Sequence, residues 1–372
     1  MLGRIKSYIL VRSCKLLNSS IVTQKNSPLN PTNVLIINPQ GIGDMIIFTP
    51  VIEAIKRKNP SVKISVLTSE YGAQVLKNNP SVYETIIIPY PLPSFFFFVS
   101  LIKRLRKKKY DTIIDTTLTC FFLTQLLLPY CIGASTRICF QRKGFSHFLP
   151  THEILFTRNH MMDVYGTISK VFETSIQPIP LLYPSLEDKI TIQKLLKNNK
   201  KPFIIIHPTC QGDQKIWPAE NFSEIITKIK RKISCTIIVT TTTREKHLIE
   251  PILKNHFDDI IVLLPENVQM ITALLEASDF LISVDTGIVH IATATNTPTL
   301  CIYGRTSQLF WKPYNSNQKA IQKEICRETA NALDTDQIII YPLLCPEHKT
   351  DCIHAVKVSD VWKIVEKELM NL

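Results

Sequence analysis

Asp279-Phe-Leu-Ile-Ser-Val-Asp-Thr-Gly-Ile-Val-His290 contains a strand, a turn and the start of a helix. Residues 280–284 form an apolar run of strand length, which Asp285-Thr286-Gly287 breaks with turn residues. Residues 288–295 read as a helix, and a second apolar run at 298–303 ends in Gly304-Arg305-Thr306-Ser307. Strand, tight turn, helix and strand in this order make a βαβ unit of a parallel sheet. Asp285 or Thr286 can cap the helix, and Gly287 removes a Cβ where a ligand approaches the backbone. The free N–H groups and the positive end of the helix dipole suit a phosphate or diphosphate. His290, three residues beyond Gly287, lies on the first turn and can face the same place. An ordinary capped helix satisfies Asp-Thr-Gly equally well. A single copy in βαβ surroundings argues against an aspartic protease.

The alternation extends both ways. Residues 33–38 are a strand, Pro39-Gln-Gly-Ile-Gly-Asp44 a turn, and 45–58 a helix ending at Asn59-Pro60. Gly41 and Gly43 suit a tight turn, but a dinucleotide loop needs a third glycine where this chain has Ile46. Asp44 at the helix entrance is either a helix cap or a catalytic carboxylate. Pro50 should kink the helix unless it begins later. Strands follow near 62–67, 85–88 and 112–114, and 118–134 reads as a buried helix. After a proline-rich connection and a polar helix at 176–201, a strand at 202–207 runs into Pro208-Thr-Cys-Gln-Gly-Asp-Gln-Lys-Ile-Trp-Pro218. That loop offers Thr209 and Lys215, a hydroxyl and a cation suited to phosphate oxygens. Judged alone, it is also compatible with a solvated lysine. A strand at 236–240 leads to Glu245 at the next helix start, and 260–264 is strand-like again.

The length of 372 residues suggests two domains, and 45% apolar content supplies their cores. A net charge of +12 calls for an anionic partner. Basic groups stand at 103–109 and at Arg137, Arg142 and Lys143. Each reads either as a solvated face or as a surface for an anionic membrane or substrate. The aromatic run at 95–102 has eight residues, too few to span a bilayer. No nucleic-acid reader module accompanies the charge. Ten scattered cysteines fit a reducing compartment. Cys326, Cys345, His348 and Cys352 lack the close cysteine pair of a zinc site, so no metal is expected. Residues 1–32 form a basic, mildly amphipathic extension, either frayed or surface-binding, with no signal peptide evident.

Four motifs together resemble glycosyltransferase family 9, the lipopolysaccharide heptosyltransferases. They are Val34-Leu-Ile-Ile with Gly43-Asp44 and Thr49-Pro50; Ile206-His-Pro with Lys215 and Trp217-Pro218; Ser283-Val-Asp-Thr-Gly287 with His290; and Tyr303-Gly with Thr306 and Trp311-Lys-Pro-Tyr314. The resemblance implies an α/β GT-B architecture, two Rossmann-like domains facing each other across a cleft. Residues 33–185 would bind the acceptor and 186–345 the nucleotide sugar. A C-terminal segment, 346–372, would send a helix back to the first domain. The implied activity is inverting transfer of a sugar, heptose from ADP-heptose, to a lipopolysaccharide-core or related acceptor, without metal or cofactor. Alternatives are another nucleotide sugar, a protein acceptor, or a non-catalytic binding protein of the same fold. Asp44 is the candidate base. Thr209, Lys215 and the amides of Thr286 and Gly287 are candidate diphosphate contacts. Asp285, His290 and Glu245 are candidates for hydroxyls, orientation and the nucleoside. Gly43, Arg137, Arg142 and Lys143 are candidates for an anionic, lipid-linked acceptor. The implied location is cytoplasmic, peripheral on the inner face of the cytoplasmic membrane.

Overall fold

The computed structural model describes residues 29–89, 94–117, 123–140, 150–157, 159–212, 215–304, 306–323 and 351–372. These form two compact units, one from 29–157 and Met162–Pro178, the other from Asn159–Met161, 179–323 and 351–372. The boundary falls at residue 178, a few residues before the expected 185, with a three-residue excursion at 159–161.

The first unit runs β1 (Asn33–Asn38), α1 (Ile42–Lys58), β2 (Lys63–Thr68), α2 (Glu70–Leu76), β3 (Glu84–Ile87), α3 (Phe95–Lys107), β4 (Thr112–Asp115), α4 (Leu123–Ile132), β5 (Thr136–Phe140), β6 (His152–Ile154) and α5 (Met161–Lys170). Its sheet has the order β3-β2-β1-β4-β5-β6, every pairing parallel. Val34 to Ile37 are fully buried because helices cover both faces, which is why the strand reads as an unbroken apolar run.

The second unit repeats the plan with α6 (Leu186–Leu196), β7 (Phe203–His207), α7 (Ala219–Lys232), β8 (Thr236–Thr240), a 3-10 turn (Thr243–Ile249), α8 (Glu250–His256), β9 (Ile261–Leu263), α9 (Val268–Glu276), β10 (Phe280–Val284), α10 (Gly287–Thr295), β11 (Thr299–Ile302), α11 (Gln308–Trp311), β12 (Gln318–Ile321), α12 (Asp351–His354) and α13 (Val358–Leu369). Its order is β12-β11-β10-β7-β8-β9, again all parallel. Counted from β7, this is the order of the first sheet. Each order reverses beside the unit's first strand, between β1 and β4 and between β7 and β10. Ligands of open parallel sheets bind at the strands' carboxyl ends at such a switch point.

Two expectations need correction. Helix α1 starts at Ile42, so Gly43 lies inside it; Gly41 is the N-cap with φ −77°, which needs no glycine. Pro50 lies within α1. Its missing N–H releases the Ile46 carbonyl, which instead accepts the Thr49 hydroxyl at 2.8 Å. The C-terminal helix packs within the second unit. Val361, Val365 and Leu369 of α13 complete that unit's core with Ile225, Ile226 and Ile229 of α7. Their i, i+4, i+8 spacing gives α13 an apolar stripe that α7 covers. The expected basic extension, 1–32, lies outside the described residues apart from its last four. Among the described residues, no helix is long and apolar enough to cross a membrane.

Candidate functional site

At the carboxyl end of β10, the Asp285 side chain turns away from the helix it was expected to cap. Thr286 occupies the N-cap of α10 with extended backbone and makes no side-chain cap bond. The first-turn amides of a nine-residue helix therefore have no side-chain acceptor from the cap. Asp285 Oδ2 instead accepts from Lys215 Nζ at 2.7 Å. The Lys215 side chain is 29% exposed and that of Asp285 only 6%, so the ammonium is the accessible end of the pair. Burial pulls the Lys215 ammonium down, but the charge and hydrogen bond of Asp285 outweigh it. The net result holds the lysine above its ordinary value. The pair spans 70 residues of sequence and joins the loop after β7 to the turn after β10. It lies where the strand order reverses.

The loop that delivers Lys215 is pinned at its far end. Trp217 is fully buried, donates from Nε1 to the Val356 carbonyl at 2.8 Å, and meets Phe222 edge-on with ring centroids 5.0 Å apart. Thr209 is buried as well. Its hydroxyl donates to Glu245 Oε2 at 3.1 Å and lies 2.9 Å from the Thr241 hydroxyl. Thr242 gives Glu245 a further bond at 3.0 Å. Thr209 is thus committed to orienting Glu245 rather than standing free for a phosphate.

Two histidines sit beside these groups. His290 is buried on α10 with Trp311 at 6.4 Å between ring centroids, and burial pushes it down to about 4 despite the attraction of Asp285. His207, at the end of β7, lies with Nδ1 2.9 Å from the Thr240 hydroxyl and is likewise pushed down to about 4 by burial. Both imidazoles are neutral at physiological pH. His207 stands in the Ile206-His-Pro motif, but its sequence alone gave it no role. No sequence motif singled out Cys301, whose thiol burial raises well above the ordinary value, with the Asp285 charge adding to the effect.

In the first unit, Asp44 stands in the opening turn of α1, partly buried. Its Oδ1 accepts from the Tyr165 hydroxyl at 3.3 Å. Tyr165, on α5, is fully buried against Phe48, and burial raises its phenol well above the ordinary value, with the Asp44 charge adding to the effect. Gln40, in the turn before α1, is anchored by Nε2 to the Thr116 carbonyl at 3.1 Å. No local sequence signal pointed to Tyr165, because its contact lies 121 residues away. Arg137 is buried in β5, donating to the Ala134 carbonyl at 2.6 Å over the Tyr130 ring, so it is not part of a surface basic group. Arg142 and Lys143 lie outside the described residues. So do Cys326, Cys345 and His348; Cys352 is buried. Among the described residues no three His, Cys, Asp or Glu side chains converge as metal ligands.

The family model for glycosyltransferase family 9 (heptosyltransferase) matches residues 98–338, well over half the chain. The chain belongs to glycosyltransferase family 9. This family 9 enzyme is 26% identical over 297 residues to lipopolysaccharide heptosyltransferase 3 of Escherichia coli, covering 74% of this chain and 84% of that one. It is 28% identical over 350 residues to the putative lipopolysaccharide heptosyltransferase 4 of E. coli K12, covering 87% and 90%. Among solved structures, a family 9 glycosyltransferase from Veillonella parvula superposes with a TM-score of 0.75 at 17% identity, covering 93% of this chain and 99% of that one. The E. coli ADP-heptose lps heptosyltransferase II superposes at 0.71 and 18% identity, covering 91% and 99%. These likenesses show the GT-B fold, an α/β architecture of two Rossmann-like domains.

Proposed function

We propose that this glycosyltransferase moves heptose from ADP-heptose to an anionic acceptor of the lipopolysaccharide-core type, with inversion at the anomeric carbon. The observation that carries the reading is the Lys215–Asp285 pair beside the uncapped start of α10, at the switch point of the second sheet. The names of the relatives support the choice of donor and acceptor. In this reading the Lys215 ammonium and the amides of Thr286 and Gly287 bind the donor diphosphate and take up the charge that develops as it departs. Asp285 holds Lys215 and accepts from a sugar hydroxyl, and Glu245 accepts from the nucleoside. Asp44 takes the proton of the acceptor hydroxyl while its oxygen bonds to the anomeric carbon. The bond to the diphosphate breaks, and ADP leaves with the electron pair. Lys215 and the helix amides supply the positive charge, so transfer needs no divalent ion. The exposed Lys103, Arg104, Arg106 and Lys107 of α3, with Phe96 83% exposed at its other end, suit a peripheral position on an anionic cytoplasmic membrane face.

The test is transfer by the purified protein to surface glycolipid from cells lacking the gene, followed by mass spectrometry. ADP-heptose, UDP-hexose and GDP-hexose are supplied in parallel, each with and without chelator. A mass gain of one heptose, from ADP-heptose alone and undiminished by chelator, is the expected result. Gain from a hexose donor, or loss in chelator that magnesium restores, overturns the corresponding part.

A further inference from the structure

The second unit carries a basic groove of about 520 Å³ between α11, the edge strand β12 and α13. It is bounded by Gln308 and Lys312 around α11, Gln318 and Lys319 of β12, and Lys363 and Lys367 of α13. Pro313, Ala320 and Ile364 contribute apolar lining, and Glu368 is the one acid. The strand involved is the sheet's edge, and Gln318 pairs with Thr299 at the start of β11. The donor groups instead follow the carboxyl ends of β7, β8 and β10.

Four ammonium groups around one concavity repel each other, and Glu368 is the one carboxylate in the lining to offset them. Lys312, Lys319, Lys363 and Lys367 are all exposed, and none has an acidic partner within ion-pair distance among the described residues. The nearby acids are engaged elsewhere: Asp360 with Lys323 at 2.6 Å and Glu366 with Lys232 at 3.0 Å. Lys363 and Lys367 stand four apart on one helix face, a spacing at which like charges destabilise a helix. An anion between them reverses the sign of that interaction. Concave walls also concentrate the field of charges that a flat surface leaves to solvent. The volume lies within the range of small-ligand sites. Lysine binds phosphate as a point charge without fixed geometry.

We propose that this groove is an anion site for closely spaced phosphate groups, whether of a soluble diphosphate or of lipid headgroups. It is independent of the donor assignment. The experiment is competitive acetylation of the whole protein, read lysine by lysine by mass spectrometry. One arm adds sodium pyrophosphate; the other adds phosphatidylglycerol vesicles, with phosphatidylcholine vesicles as control. Acetylation of Lys319, Lys363 and Lys367 is expected to slow at least about threefold, while exposed Lys197 and Lys200 of the same unit keep their rates. Protection by pyrophosphate alone assigns a soluble ligand; protection confined to the anionic vesicles assigns a lipid surface. The variant K363Q/K367Q is expected to lose the protection of Lys319. No protection in either arm, equal protection of Lys197 and Lys200, or undiminished protection of Lys319 in that variant overturns the proposal.

Discussion

The two sheets share one strand order, yet their carboxyl edges carry different chemistry. Beside β7 and β10 stand an ion pair, a carboxylate held by threonine hydroxyls, and two neutral histidines. Beside β1 and β4, Asp44 receives a bond from a buried phenol, Gln40 donates to the Thr116 carbonyl, and buried Asp115 accepts from Thr117. Topology decides where each edge lies; loop residues decide whether it stabilises negative charge or accepts a proton. On the proposed reading, the second edge carries the cation that a departing diphosphate needs. The first offers an acceptor oxygen, which is what proton removal needs. A shared fold therefore says little about the division of labour.

The sharpest way to break this contrast is Asp44→Asn. If the first edge serves as the base, turnover falls by roughly 10²-fold or more while donor affinity holds. Were Asp44 only a first-turn polar residue near the helix dipole, asparagine would leave the rate near wild type, and single-turnover kinetics distinguishes the two. Next in size is Lys215→Ala. Donor binding is expected to weaken about tenfold or more together with the rate, because the diphosphate loses its charge partner in both ground and transition states. Calorimetric titration with ADP checks this, and unchanged affinity would move the diphosphate elsewhere.

A third prediction concerns stability. An unfolded histidine titrates near 6.5, whereas His207 and His290 in the folded protein are pushed down to about 4. Between these values the unfolded chain binds protons that the folded one refuses. Stability therefore falls as pH drops from about 6.5 to about 4, and this contribution levels off below. The melting temperature is expected to drop across that window, and by less in His290→Gln. His152 of the first unit, also lowered by burial, stays intact as the reference. A variant with the full wild-type drop would show that His290 is not the source. The smallest effect is Thr49→Ala, about 1 kcal/mol in denaturant unfolding, since the Ile46 carbonyl loses its donor. In a Pro50→Ala background, where the backbone N–H returns, the cost should shrink; an equal cost in both backgrounds would show the hydroxyl is doing something else.

Much of the fold was legible. Buried parallel strands such as Phe280–Val284 and Phe203–His207 are short apolar runs closed by turn residues, so they can be read one at a time. Strands β5, β6 and β12 escaped: His152–Ile154 and Gln318–Ile321 sit at sheet edges, where partial exposure dilutes the apolar signal, and Arg137 interrupts the apolar run of Thr136–Phe140. Arg137 misled because it was grouped by charge with Arg142 and Lys143, whereas the Ala134 carbonyl and Tyr130 ring enclose it within β5. Lys215, Asp285 and Glu245 were visible as residues at strand ends. Their pairing was not, since a bond across 70 residues follows from strand order and not from local pattern. Tyr165 was invisible for the same reason.

The bond from Trp217 to the Val356 carbonyl, with Val361, Val365 and Leu369 in the same core, has a consequence for synthesis. A ribosome delivers the chain from its amino end, and domains close as their parts emerge. The first unit has its described strands in hand once residue 154 is out. The second must wait for the final helix, Val358–Leu369, which ends about 165 residues after β7 begins at Phe203. Over that interval α7 exposes an apolar face that nothing yet covers. Nascent chains stalled at residue 345 should remain protease-sensitive between β7 and β12, while the first unit already resists digestion.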